Sequence, residues 1–317
     1  MKRLIVVLVL LMIALSSFAG WEQEVEAQDK PEVAVLIPGT VEFFAVQKRG
    51  INKAAEDYGL NLIYADAEWD AGKQLAQVEN FITKKVDLIL LCSADNIALQ
   101  AVVPLANKAG IPLISFSNTV GSDAHGKYEG VIAYIGRDEI RGGEMLGEMA
   151  EKLLGDKDAN IVLIQGSPGT SAQRFREKGF LNIVKKHSNW KIVADRPITG
   201  WTKEGSLSAV EDFLQTGKRV DIVVTQWWSA GIAAAMALKE KGLTDVHVVS
   251  LEYTKEIIPY VKAGEIDITT YFSIVEEGYK AAEAAAKYLK GEKVPEFVEI
   301  VPVWVTTDNV DQFEPEM

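Results

Sequence analysis

Aromatic pairs and a few charged side chains stand where apolar, strand-like runs end. Phe43 and Phe44 follow Val33–Ile37 and open a helical stretch; Gln226-Trp227-Trp228 follows Asp221-Ile222-Val223-Val224-Thr225. Glu252 closes Val248-Val249-Ser250-Leu251, and Ser117 and Asn118 close Leu113–Phe116. Flat aromatic faces suit the C–H faces of a sugar ring, since both are amphipathic and rigid. A carboxylate at Glu252 can accept two hydroxyl hydrogen bonds at once. One of Arg174 and Arg176 can bring a planar fork to the same place, and the other then stays in solvent or pairs with Glu177. Of the adjacent tryptophans, one is expected to pack beneath the next helix, and Trp227 is read as facing a ligand. Trp201, in the turn Gly200-Trp201-Thr202, divides between core packing and ligand contact. Arg137 and Asp138 divide between hinge duty and ligand contact.

Catalytic and cofactor patterns are missing from the same loops. The loop Pro38-Gly39-Thr40-Val41-Glu42-Phe43-Phe44 carries aromatics where a dinucleotide loop needs glycines. Gly72-Lys73-Gln74 lacks the upstream glycine and the hydroxyl of a phosphate loop, and Gly166-Ser167-Pro168-Gly169 lacks the spacing of a nucleophile elbow. His125, His187 and His247 are far apart and have no metal-ligand spacing. Neither a cofactor nor a metal is expected. The single cysteine, Cys92, ends Leu88-Ile89-Leu90-Leu91 and reads as a buried strand end. A net charge of −12 argues against nucleic acid as a partner. A secreted carbohydrate-active enzyme is the alternative, with Glu252 and Asp138 as an acid/base pair. No loop supplies adjacent carboxylates at a suggestive spacing, so binding without catalysis is preferred.

These loops need strands to hold them. Strand-like runs (Val33–Ile37, Asn61–Tyr64, Asp87–Cys92, Leu113–Phe116) alternate with helical ones (Phe44–Tyr58, Trp69–Lys84, Ile97–Ala109). After Val131–Ile135 the alternation resumes: helices over Arg141–Leu154, Ser171–Lys186, Lys203–Gln215, Ser229–Lys241, Lys255–Ala263 and Glu276–Leu289. Strands are expected between them at Asn160–Gln165, Lys191–Ala194, Asp221–Thr225, Val246–Leu251 and Ile266–Phe272, with Val298–Val305 last. Such alternation means parallel sheets with right-handed crossovers. The number of strands predicts an α/β protein of two doubly wound lobes, with the ligand beyond the strands' carboxyl ends, between them. An eight-stranded barrel is the rival, disfavoured by the helix-free passage from Leu113–Phe116 to Val131–Ile135. At the front, Lys2 and Arg3 precede the apolar run Leu4–Leu15 and then Ser16, Ser17, Ala19 and Gly20, the layout of a cleaved export signal. The run is shorter than the roughly 20 apolar residues of a membrane span. With no cysteine nearby for a lipid, the periplasm is the expected location.

Taken in order, Phe43-Phe44 with Gly50, Gly110-Ile111-Pro112, Gly142-Gly143, and Gln165-Gly166 through Gly169-Thr170-Ser171-Ala172 to Arg176 and Gly179-Phe180 resemble the ribose-binding-protein family of type I periplasmic binding proteins. Gln226, Leu289-Lys290-Gly291-Glu292-Lys293-Val294 and Val305-Thr306-Thr307-Asp308-Asn309-Val310 extend the resemblance over Pro31 to Phe313. It implies a monomeric sugar or polyol receptor for an ABC importer, recognised in its closed form by membrane permease subunits. A receptor serving chemotaxis or a sensor kinase shares the same chemistry. The family's repressors carry a DNA-binding helix pair where this chain has its export segment. The resemblance further implies crossovers near Arg137, Phe272 and Val301. The expected division is an export signal at 1–28, one lobe from 29–137 plus 273–300, and the other from 138–272 plus 301–317. Ligand positions of the family fall on Phe43, Phe44, Arg176, Trp201 and Glu252. Val41, Ser117, Asn118, Trp227 and Phe272 stand where ribose-like receptors usually carry amide or charged hydrogen-bonding groups, so a ligand other than ribose is expected, such as another pyranose, a cyclitol or a modified sugar. Stacking is assigned to Phe43, Phe44, Trp201 and Trp227, and hydrogen bonding to Glu252, Arg176, Asn118 and Asp138.

Overall fold

A computed structural model describes residues 30–317; the expected export segment lies outside the described residues. The chain opens with β1 (Glu32–Ile37), buried in all but its first residue, and α1 (Glu42–Tyr58). Then come β2 (Asn61–Asp66), α2 (Ala71–Lys84), β3 (Leu88–Leu91), α3 (Val102–Lys108), β4 (Leu113–Phe116) and β5 (Tyr134–Gly136). After β5 follow α4 (Glu139–Leu154), β6 (Ala159–Gln165), α5 (Ser171–Val184), β7 (Trp190–Pro197), α6 (Lys203–Gln215), β8 (Ile222–Thr225), α7 (Trp228–Glu240) and β9 (His247–Val249). The close is α8 (Ile258–Lys262), β10 (Thr269–Tyr271), α9 (Ile274–Leu289), β11 (Phe297–Glu299) and β12 (Val303–Val305).

Two parallel sheets result, with strand orders β11-β5-β4-β3-β1-β2 and β7-β6-β8-β9, and β10 pairs antiparallel with β12. Both parallel sheets have apolar clusters on each face, as their continuous Val, Ile and Leu runs require. β1 and β6 are interior strands, each beside an edge strand (β2 and β7), and the loops that follow them open at equivalent places on the two sheets' carboxyl edges.

Several elements are shorter or divided relative to the sequence reading. The expected helix 97–109 is a 3₁₀ turn (Ala98–Ala101) followed by α3, which begins just before Pro104, where a missing N–H is tolerated. The expected strand 298–305 splits into β11 and β12, which join different sheets, because Pro302 between them has no N–H for a ladder. Glu68 and Trp69 are in the left-handed region (φ 53° and 64°), so α2 starts at Ala71, with Asp70 accepting from the Lys73 amide.

Two helix pairs, α1 with α9 and α4 with α5, lie in backbone contact. A Cβ on Gly50 would sit 1.9 Å from the Val275 carbonyl oxygen, and one on Gly278 would sit 2.1 Å from that of Gln47. In the second pair the equivalent approaches are Gly179 to Ile140 O (1.9 Å) and Gly143 to Arg176 O (2.0 Å). The two halves therefore repeat one packing device, with Gln47 and Arg176 at matching places. Gly179→Ala should separate α4 from α5 and lower stability by about 1–3 kcal/mol in urea denaturation; an unchanged midpoint would refute the close approach.

Candidate functional site

The loops after β1, β2, β4, β6, β7, β8 and β9 enclose a cavity of about 100 Å³ between the two sheets. Aromatic rings make its walls. Phe43 and Phe44 meet edge to face, with centroids 5.3 Å apart, and Trp69 lies 6.4 Å from Phe44. From the other sheet, Trp201 and Trp227 meet edge to face at 5.2 Å, and Trp228 completes that wall. Each half seats one indole on a glycine. A Cβ on Gly39 would lie 2.3 Å from the Trp69 ring, and one on Gly166 would lie 2.0 Å from the Trp201 ring. Gly39 follows β1 as Gly166 follows β6; Trp69 follows β2 as Trp201 follows β7. Both tryptophans after β8 line the cavity, whereas the sequence reading sent one beneath a helix. Trp69 was missed as a lining residue. Its equivalence to Trp201 was the available signal, obscured by a helical pattern that read it as a first-turn residue.

Of the non-glycine residues with positive φ, Ser117 (56°), Trp69 (64°), Trp201 (57°) and Glu252 (74°) all line the cavity. Such backbone costs of order 1–3 kcal/mol and persists only where neighbours over-determine it. Here they do. Tyr134 Oη donates to the Ser117 and Arg137 carbonyls (2.9 and 3.1 Å). The Glu252 amide donates to Thr270 Oγ1 (3.0 Å), and Thr269 Oγ1 donates to the Glu252 carbonyl (2.8 Å). Trp227 Nε1 donates to the Trp201 carbonyl (3.1 Å) and to Ser229 Oγ (2.7 Å).

A buried ionic cluster forms the floor. Glu139 opens α4 and takes hydrogen bonds from Arg137 (Nε 3.0 Å, Nη2 2.9 Å) and Arg176 (Nε 2.7 Å, Nη2 3.0 Å). Arg176 also reaches Glu252 Oε1 at 3.4 Å and donates to the Gln226 carbonyl. Arg137 Nη1 stands 3.5 Å from Glu277 Oε2, which accepts from Gln47 Nε2 (2.9 Å) and Ser117 Oγ (3.1 Å). The Arg137 guanidinium lies over the Phe272 ring at 4.1 Å and near Phe43 at 5.4 Å. Burial works against the Glu139 charge, yet Arg176 and Arg137 together hold its carboxyl down to about 2. Burial pushes Glu252 and Glu277 up, only partly offset by the arginines.

The structure distributes the other expected site residues unevenly. Phe43, Phe44, Ser117, Asn118, Arg176, Trp201, Trp227 and Glu252 all line the cavity, and Arg137 joins them. Asp138 stands outside that lining. Its extended backbone aims the carboxylate at the α4 amides of Ile140 and Arg141 (3.0 Å each), and its second oxygen meets His125 Nε2 at 2.9 Å. Phe272 also stands outside that lining: its ring is covered by the Arg137 guanidinium at 4.1 Å and lines a separate pocket with Ser273, Ile300 and Val301. The Asn118 amide is engaged by protein: Nδ2 donates to Ser93 O (2.9 Å), and Oδ1 accepts from Ser171 Oγ (3.2 Å). Arg174 pairs with Asp95 at 3.2 Å across the mouth rather than with Glu177.

Removing one partner of a buried pair leaves a charge uncompensated. Arg137→Met should therefore lower stability by about 3–5 kcal/mol in chemical denaturation; a loss below 1 kcal/mol, well under that range, would mean that Arg137 does not anchor the cluster. The three buried carboxylates also set a pH profile. Glu139 stabilises above the unfolded carboxyl value of about 4.3, and that contribution is lost as pH falls toward 2. Glu252 and Glu277, being raised, stabilise most below that value and lose the contribution as pH rises through their folded values. Their combined contribution peaks in mild acid. Melting temperatures measured from roughly pH 2 to 8 should show Glu277→Gln flattening the fall on the alkaline side while keeping the acid limb.

A family model described as a periplasmic binding protein domain matches residues 33–293. The ribose import binding protein of Salmonella typhimurium is 31% identical over 252 residues, 80% of this chain and 82% of that protein. The crystal structure of an ABC transporter solute binding protein from Bacillus halodurans, with bound myo-inositol, superposes with a TM-score of 0.83 at 27% identity, covering 92% of this chain and 100% of that one. A periplasmic solute binding protein of Actinobacillus succinogenes, with bound D-allose, superposes with a TM-score of 0.79 at 26% identity, covering 90% of this chain and 100% of that one. Two parallel sheets facing across an aromatic cleft agree with these matches, and the chain belongs to the periplasmic binding protein domain family, with the type I fold.

Proposed function

We propose that this protein is the solute receptor of an ABC importer and that the cleft holds one single-ring sugar or cyclic polyol. The observation that carries this reading is the pairing of opposed aromatic walls with a buried ionic floor in a cavity of about 100 Å³. At about 10–15 Å³ per water site, that volume is on the order of seven to ten waters, the space of one ring. The chain belongs to a family of binding proteins, not enzymes.

In this reading Phe43, Phe44, Trp69, Trp201, Trp227 and Trp228 stack on the ring, while Glu252, Arg176 and Arg137 bind its polar rim. Asn118 serves a different end, holding Ser171 across the cleft. Residues 1–28 would direct export to the periplasm, where the closed form docks on membrane permease subunits. Closure follows if the ligand contacts both walls, since it then binds the closed state more tightly.

Titration with pentoses, hexoses and cyclitols, followed by tryptophan fluorescence, should show a saturable change, and small-angle scattering should show contraction. Trp201→Ala should weaken binding on the order of tenfold. If no member of the panel alters fluorescence or envelope, the reading is wrong.

A further inference from the structure

We infer that the cargo of this cleft is an amino-substituted cyclic polyol, its protonated nitrogen held between the Glu252 carboxylate and the tryptophan faces; this rests on the single-ring reading above. The hydroxyl and amide side chains of the lining, Ser117, Asn118 and Ser229, are each engaged by protein groups, whereas the indoles of Trp69, Trp201 and Trp228 face the cavity as neutral donors. Ser117 Oγ is bonded to Gln47 (2.7 Å) and Glu277 (3.1 Å), and Ser229 Oγ accepts from Trp227 (2.7 Å). The Asn118 amide bonds Ser93 and Ser171. Few neutral acceptors remain for the hydroxyl protons of an uncharged sugar.

The charged groups are unequally committed. The two buried guanidiniums, Arg137 and Arg176, both bond Glu139, while the buried carboxylates are Glu139, Glu252 and Glu277. With every group ionised, this buried set carries one net negative charge, which the burial of Glu252 and Glu277 opposes. Glu252 carries the least protein bonding of the three: one long contact with Arg176 at 3.4 Å, and no protein hydrogen bond to its other oxygen among the described residues. Glu42, exposed at the rim, adds a second carboxylate to the lining, which contains no lysine or histidine. Against these stand Arg137 and Arg176, both already bonded to Glu139, so the uncommitted charge of the lining is carboxylate.

Aromatic faces attract cations through their negative quadrupole, and tryptophan does so best. The structure already uses these rings in that way, with Arg137 5.4 Å from the Phe43 ring and Arg176 5.7 Å from the Trp201 ring. A ligand ammonium would meet the uncommitted faces and the uncommitted carboxylate together. The groups facing Glu252 are Arg176 from α5, Arg137 from the β5–α4 junction and Glu139 from α4. Only Glu252 among the carboxylates gains a cationic partner on binding.

Matched pairs test this by calorimetry on the whole soluble protein: glucosamine against glucose, galactosamine against galactose, and an aminodeoxyinositol against myo-inositol. At neutral pH the amine of at least one pair should bind on the order of tenfold tighter than its parent. That ratio should fall in acid as Glu252 takes a proton, and again in base as the amine loses one. Glu252→Gln should bring the ratio toward one, whatever the parent's own affinity becomes. Parents that bind as well as their amines overturn the inference and leave the single-ring reading standing. Silence from every member of every pair overturns both. The wild-type ratios decide the question even if the variant does not fold, and an amine preference that survives Glu252→Gln refutes the role given to that carboxylate.

Discussion

The carboxylate of Glu139, shared between Arg137 and Arg176, is the contact from which the site is built. It stands in the first turn of α4, where the helix dipole favours a negative charge. Each guanidinium it holds does a second job: Arg176 reaches Glu252 and the Gln226 carbonyl beside Trp227, and Arg137 reaches toward Glu277 on α9. One carboxylate therefore orients groups from both sheets' sides of the cleft. Buried ion pairs contribute little net stability, because desolvation offsets most of the attraction. Fixed orientation of two planar donors at the floor is what this cluster supplies.

That contact depends on helices that approach to backbone distance. Arg176 and Glu139 meet because Gly143 and Gly179 let α4 and α5 touch. Gly50 and Gly278 do the same for α1 and α9, where Gln47 meets Glu277. The two halves share this frame, and each also seats a tryptophan on a glycine that follows an interior strand, β1 or β6. They differ in charge: a neutral amide in one half takes the place of a guanidinium in the other. A symmetric scaffold thus carries an asymmetric floor.

Much of this frame was legible in the sequence. Alternating strand and helix periods located most elements, and the rule that sites lie beyond strand carboxyl ends located Phe43, Trp227 and Glu252. Trp69 was hidden because helical periodicity is blind to the left-handed pair Glu68-Trp69 that precedes Ala71. Asp138 looked available because a capping carboxylate and a ligand-binding one are the same residue type at the same strand end. The charge cluster was only partly visible: the sequence reading began this helix at Arg141 and passed over Glu139, whose role appears only when α5 brings Arg176 against it. Contacts between elements distant in sequence leave no periodic trace in either.

The mouth of the cleft adds a contribution of its own. Asp95 pairs with Arg174, the Asn96 amide donates to the Gly169 carbonyl (3.1 Å), and the Thr119 amide donates to Ser171 Oγ (2.9 Å). These bonds join loops of one sheet to α5 and its leading loop in the other half without any ligand atom. A ligand can shift a conformational equilibrium only by the difference in its affinity for the two states. Direct bonds between the halves reduce the difference it must supply, because part of the closed state's free energy already resides in protein. The exposed Asp95–Arg174 pair contributes little, on the order of 0–1 kcal/mol. Thr119–Ser171, buried at the inner end, is the stronger tie, and it lies beside Asn118. Asn118 therefore belongs to the joint between the halves, and under the proposed function recognition is left to the aromatic walls and to Glu252.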